Sequence, residues 1–181
     1  VAKNSKNPKS KIIAEIREDG QYKKFREIVR NTREKLKVDQ DRNEALALHA
    51  ARLSRQMYGK KQYSPQALLE SSLQDSSYRS RMVEIRVQAN LHTSLLDDAI
   101  DVIKRYITTE FYDELSGYKT VDQRKSMIDR IVASALELKS EGEALVELLD
   151  TLVRDIDQTS FQLERMIKAL ELLSHSKGKL A

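Results

Sequence analysis

Residues 128–173 read "IDRIVASALELKSEGEALVELLDTLVRDIDQTSFQLERMIKALELL". Two apolar series run through this stretch in alternating steps of three and four. One is Ile128, Ala135, Gly142, Leu149, Ile156, Leu163 and Leu170; the other is Ile131, Leu138, Leu145, Leu152, Thr159, Met166 and Leu173. An unbroken 3.5-residue period predicts a helix with one side turned toward other helices. Val132, Val146, Val153 and Ile167 widen that side beyond a two-stranded seam, so it can meet more than one neighbour. Ile131, Leu138, Leu145, Leu149, Leu152, Ile156 and Leu163 are its core positions. A hairpin alone cannot bury so wide a face along its whole length. The N-terminal helices cover part of it, and copies of the same chain are expected to cover the rest, which makes the chain a homo-oligomer.

Upstream, Thr120 and Gln123 form a capping-box pair that opens this helix. Ser116-Gly117-Tyr118-Lys119 breaks the helix before it. That earlier helix carries Tyr78, Met82, Ile85, Ala89, His92, Leu96, Ala99, Ile103 and Tyr106 at heptad spacing and reaches about Leu115. The short break predicts an antiparallel hairpin over 75–181. His92 reads as a buried polar residue that fixes register. Gly142, on the seam, predicts a close approach by another helix or a bulky side chain, since glycine there costs about 1 kcal/mol relative to alanine.

Further upstream the pattern changes. Residues 1–10, "VAKNSKNPKS", read as a flexible basic arm. Residues 11–74 form a basic helical region. A short helix spans about 11–19 and stops at Gly20; a second runs from about Gln21 to Lys37. Tyr22, Phe25, Ile28, Val29 and Leu36 lie on its apolar side, and Lys23, Lys24, Arg26, Arg30 and Arg33 lie opposite. Asp39 or Asp41 caps a third helix with the stripe Leu46, Ala50, Leu53 and Met57. "YGKKQY", residues 58–63, reads as a loop, and Ser64-Pro65 opens a short helix to about Leu73.

The totals agree with an all-α fold. Gly 5 and Pro 2 in 181 residues leave too few turn formers for a many-stranded sheet. With no cysteine there is neither a disulfide nor a thiolate metal site. No apolar run nears the ~20 residues of a membrane span, and no apolar signal core opens the chain, so a cytoplasmic protein is expected.

The formal charge of +4 is unevenly spread. Residues 1–63 carry 17 Lys and Arg against 8 Asp and Glu, a net +9, while residues 64–181 carry 15 against 20, a net −5. A basic front interleaved with an ordered pattern points to a phosphate backbone, which binds lysine and arginine without a sequence code. Lys23, Lys24, Arg26, Arg30 and Arg33, with Lys60 and Lys61 between Tyr58 and Tyr63, are the candidate nucleic-acid-binding residues; the two loop tyrosines could stack on unpaired bases. No helix-turn-helix is convincing, because the break in "LHAARLSRQMYGKKQYSPQALLESSL" exceeds the usual tight turn.

Catalytic signatures are sparse. Phosphate-cradling glycine loops and HExxH are absent, and the residues three before His49, His92 and His175 are Leu46, Ala89 and Leu172 rather than the glutamate of a bundle di-iron site. No cofactor or metal is expected; Asp97 and Asp101 share a helix face that reads as solvated acid. "RNEALALH" places Arg42 and His49 two helical turns apart on one face. It resembles the Arg…His motif of the all-helical HEPN ribonucleases, with Asn43 after the arginine. The resemblance implies that Arg42 polarises a phosphate and His49 assists proton transfer. The motif sits earlier here than in that family, and the competing reading is a surface pair with His49 beside the core.

The layout of basic arm, basic helices and long hairpin resembles the small DNA-handling proteins of tailed phages, namely small terminase subunits and recombination mediators. Its nearest sequence expression is "DIDQTSFQLERMIKALELL", residues 155–173. The resemblance implies ring-like assembly through helical segments and service in DNA packaging or recombination; no functional residue follows from it. The expectation is a non-catalytic, homo-oligomeric nucleic-acid-binding protein without sequence preference. A structural adaptor docking an acidic protein comes second, and the HEPN-like ribonuclease third.

Overall fold

A computed structural model describes residues 8–54, 65–118 and 120–177. The described residues are helical, with no strand: α1 (Pro8–Glu18), α2 (Gly20–Lys35), α3 (Val38–Ser54), α4 (Pro65–Glu110), α5 (Tyr112–Ser116), α6 (Val121–Ile131) and α7 (Ala133–Lys177). The fold is all-α and built on a long helical hairpin, α4 against α7. It divides into two compact units. One comprises Val1–Lys37 and Ala89–Glu143, the other Val38–Gln88 and Ala144–Ala181. No helix among the described residues is long and apolar enough to cross a membrane.

The seam read from 128–173 is the core. Ile131, Leu138, Leu145, Leu149, Leu152, Ile156 and Leu163 are all buried within the single chain, as are Val132 and Val153. Toward the C-terminal end the pattern opens to solvent at Met166 and Leu173. The helix is not continuous, however. It is interrupted at Val132 (φ −98°, ψ 10°), where α6 ends and α7 begins. Two β-branched residues in succession, Ile131 and Val132, are weak helix formers. The interruption is held by Tyr22, whose hydroxyl donates to the Ile131 carbonyl at 3.0 Å.

α4 runs through the break expected between 73 and 75, since nothing in Leu73–Ser76 stops a helix and Asp75 is drawn inward. Its buried face is Leu68, Ser71, Asp75, Met82, Ile85, Ala89, Thr93, Leu96, Ile100, Ile103 and Ile107. Strict heptad steps would have placed His92, Ala99 and Tyr106 there; these three are half-buried instead. A straight helix turns 3.6 residues per turn and drifts about 20° per heptad from a 3.5 repeat, so the inward positions slip by one residue to Thr93, Ile100 and Ile107. His92 therefore does not occupy the register position assigned to it.

α3 also differs from its expected facing. Leu46, Ala50 and Leu53 are exposed, and Val38, Ala45 and Arg52 point inward. Arg52, 7% exposed, reaches the Asp155 carboxylate and carbonyl and lies 3.5 Å from Asp75. A guanidinium with two carboxylates replaces the leucine that the spacing suggested. Met57 lies outside the described residues.

Candidate nucleic-acid interface

α2 begins where Asp19 stops α1. The Asp19 carboxylate accepts from the backbone N–H of Gln21 (2.7 Å) and Tyr22 (3.1 Å) through one oxygen, and from the Tyr106 hydroxyl (3.1 Å) through the other. One side chain thus caps α2 and ties its start to α4. Burial opposes ionisation of Asp19, but these donors outweigh it and hold the carboxyl below the ordinary aspartate range. For Tyr106, burial and the hydrogen bond to Asp19 push the phenol up.

Tyr22, Phe25, Thr32 and Leu36 form the inward side of α2. Two more points fix it: the Tyr22 hydroxyl on Ile131, and Leu36, whose Cδ2 sits 3.0 Å from where a Cβ on Gly142 would project. Gly142 also faces the Thr93 side chain, whose Oγ1 would collide with such a Cβ. The close approach expected at this glycine is present, made by a threonine and a leucine. Ile28, expected on the inward side, is 44% exposed, because at about 100° per residue the inward side set by Tyr22, Phe25, Thr32 and Leu36 passes through half-buried Val29 instead.

With α2 pinned at three points, its cations separate into two groups. Lys23, Arg26, Arg30 and Arg33 line one cleft of about 610 Å³, together with Tyr22, Phe25, Glu27, Val29 and Ser134 of α7. Helical geometry puts these four on one flank, a row about 15 Å long at 1.5 Å per residue. Lys24 is exposed but falls on the other flank and does not line the cleft. Lys23 pairs with Glu18 at 3.0 Å and Arg30 with Glu27 at 3.7 Å, both well exposed. Among the described residues Arg26 and Arg33 have no ion pair, so their charge is available to a ligand. Lys60 and Lys61, with Tyr58 and Tyr63, lie outside the described residues.

The other sequence candidates fall elsewhere. Arg42 pairs with Asp39 at 3.7 Å, and His49 turns Nδ1 toward Asp155 at 3.9 Å. Asp97 accepts from Lys139 at 2.6 Å, which raises the lysine above its ordinary value chiefly through that hydrogen bond, while Asp101 stays exposed. Among the described residues no group of three or more His, Asp or Glu is placed to hold a metal ion. Sequence reading missed Glu27 and Ser134 as part of the cleft. The 3.6-residue period could have put Glu27 beside Lys23 and Arg30, but nothing local foretells Ser134, which arrives from more than a hundred residues away.

No family model, no curated protein and no solved structure matches the chain.

Proposed function

We propose that this chain is a helical nucleic-acid-binding protein that engages the phosphate backbone, without catalysis, through the flank of α2 bearing Lys23, Arg26, Arg30 and Arg33. The observation that carries this reading is the alignment of four exposed cations along one cleft, two of them without an ion pair among the described residues. Their row of about 15 Å suits a polyanion, since one strand of duplex DNA presents a charge about every 3.4 Å along the axis. The same reading includes self-association of the chain. Its support is a second apolar face on α4, where Leu91, Leu95 and Val102 are at least half exposed.

Binding is tested by its salt dependence. Each phosphate neutralised contributes about 0.9 to the slope of log affinity against log salt on duplex DNA and about 0.7 on a single strand. Lys23→Ala with Arg26→Ala and Arg30→Ala should weaken binding to all sequences alike and flatten the slope by roughly two to three units. Lys24→Ala, on the other flank, should leave the slope unchanged. A wild-type protein that binds no nucleic acid near physiological salt would sink the reading in favour of an adaptor for an acidic protein.

A further inference from the structure

Phosphate contact alone does not require a recess. A ridge of exposed cations on a convex helix would serve. Here the cations line a cleft of about 610 Å³ together with half-buried Val29 and the edges of the buried Tyr22 and Phe25, one flank away. That volume lies within the ~300–1,000 Å³ of small-molecule sites. The tyrosine ring is locked by the hydrogen bond from its hydroxyl to Ile131, and it lies 5.9 Å from the Phe25 ring, so this apolar side of the cleft is preformed.

The rim carries one carboxylate, Glu27, and one hydroxyl, Ser134. A carboxylate opposes phosphate binding. It suits the exocyclic amino groups of nucleobases, which donate to acidic side chains. Duplex DNA keeps its bases stacked and paired, and nothing it displays on its outer surface would fill an apolar recess beside the phosphates. A single strand can turn a base out, lay it on an apolar floor, and keep its phosphates on flanking cations.

We infer that the cleft receives an unpaired nucleobase, with Glu27 and Ser134 meeting its polar edge and Lys23, Arg26, Arg30 and Arg33 holding the phosphates on either side. The ligand class is therefore single-stranded polynucleotide. This rests on the nucleic-acid reading above and goes further, to the form of the polymer.

Fluorescence anisotropy on the full chain tests it with three probes of equal length: a mixed-sequence single strand, its duplex, and a single strand with abasic sites throughout. The abasic strand keeps every phosphate and lacks every base. The single strand should bind on the order of tenfold tighter than the abasic strand, the scale of one base–side-chain stacking contact, and tighter than the duplex at equal salt. Val29→Trp narrows the cleft at its apolar side and alters no charge, so it should reduce the difference between base-bearing and abasic strands while leaving the salt slope intact. Equal binding of all three probes with a normal salt slope would overturn this inference and leave the phosphate reading standing. So would a folded Val29→Trp variant that keeps the full preference. Absence of binding to any probe would overturn both. The wild-type comparison decides the question even if the tryptophan variant does not fold.

Discussion

At Gly142 a missing Cβ is what lets Thr93 and Leu36 close over α7. Gly142→Ala should gain about 1 kcal/mol in helix propensity, yet the new Cβ would collide with Thr93 Oγ1, an atom near the backbone with little room to turn. The variant should lose about 1–3 kcal/mol overall, the range for overpacked cores. Adding Thr93→Ala should recover most of that loss, since Thr93 Oγ1 is the colliding atom and is itself buried without a hydrogen-bond partner. Chemical denaturation of the single and double variants checks it. Asp19 supplies a pH counterpart. Its folded-state pKa is depressed, so its stabilisation is complete above the unfolded value of about 3.9 and is lost as pH falls through the folded value. Asp19→Asn keeps a capping side chain without the charge. It should flatten the decline in melting temperature below about pH 4, while Asp19→Ala should cost about 0.5–2 kcal/mol near neutrality. That Gly142 would meet a close approach was legible from its place on the seam. The identity of its neighbours was not, because both come from remote segments.

Each helix was legible to the extent that its period was apolar. The seven core positions between Ile131 and Leu163 were legible because leucine and isoleucine repeated at helical spacing gain most by turning to one side, away from water. α3 was turned the wrong way because its inward residue is an arginine, a type that composition assigns to the surface. Arg52 is buried only because Asp155 and Asp75, on α7 and α4, face it. Three helices of one unit therefore share a charged centre. Arg52→Ala would take the guanidinium from the buried Asp75, while the half-exposed Asp155 keeps access to water, and a loss of about 3–5 kcal/mol in denaturant unfolding is expected from the buried member of the group. Arg81, paired with Glu44 at 2.6 Å and with Glu84 at 2.8 Å on the exposed side, makes the contrasting measurement. Arg81→Ala should cost no more than about 1 kcal/mol despite its two partners, because solvent screens them. The flank of α2 was half legible. The helical period sets Lys23, Arg26, Arg30 and Arg33 in one row, but which flank has a cleft beside it depends on where α7 begins, and that depends on the interruption at Val132.

For the whole molecule, the exposed face of α4 carries the remaining prediction. If Leu91 and Leu95 take part in self-association, replacing both with lysine should lower the solution mass measured by light scattering while leaving the helix content unchanged. An unaltered mass would remove this face from the assembly. Both compact units are made from segments far apart in the chain, and one consequence concerns synthesis. Tyr22 and the Ile131 carbonyl are separated by 109 residues. At about 5–20 residues per second on the ribosome, the tyrosine waits roughly 5–20 seconds for its acceptor to be made. Through that interval α2 has its cations but neither α6 nor α7 to dock on, so the Tyr22 hydroxyl lacks its acceptor and the inward side of α2 is incompletely covered. The unit can close only after translation has passed α6. Before that point the nascent chain offers its basic helix to its surroundings with the apolar side still partly open, a liability that the finished protein no longer carries.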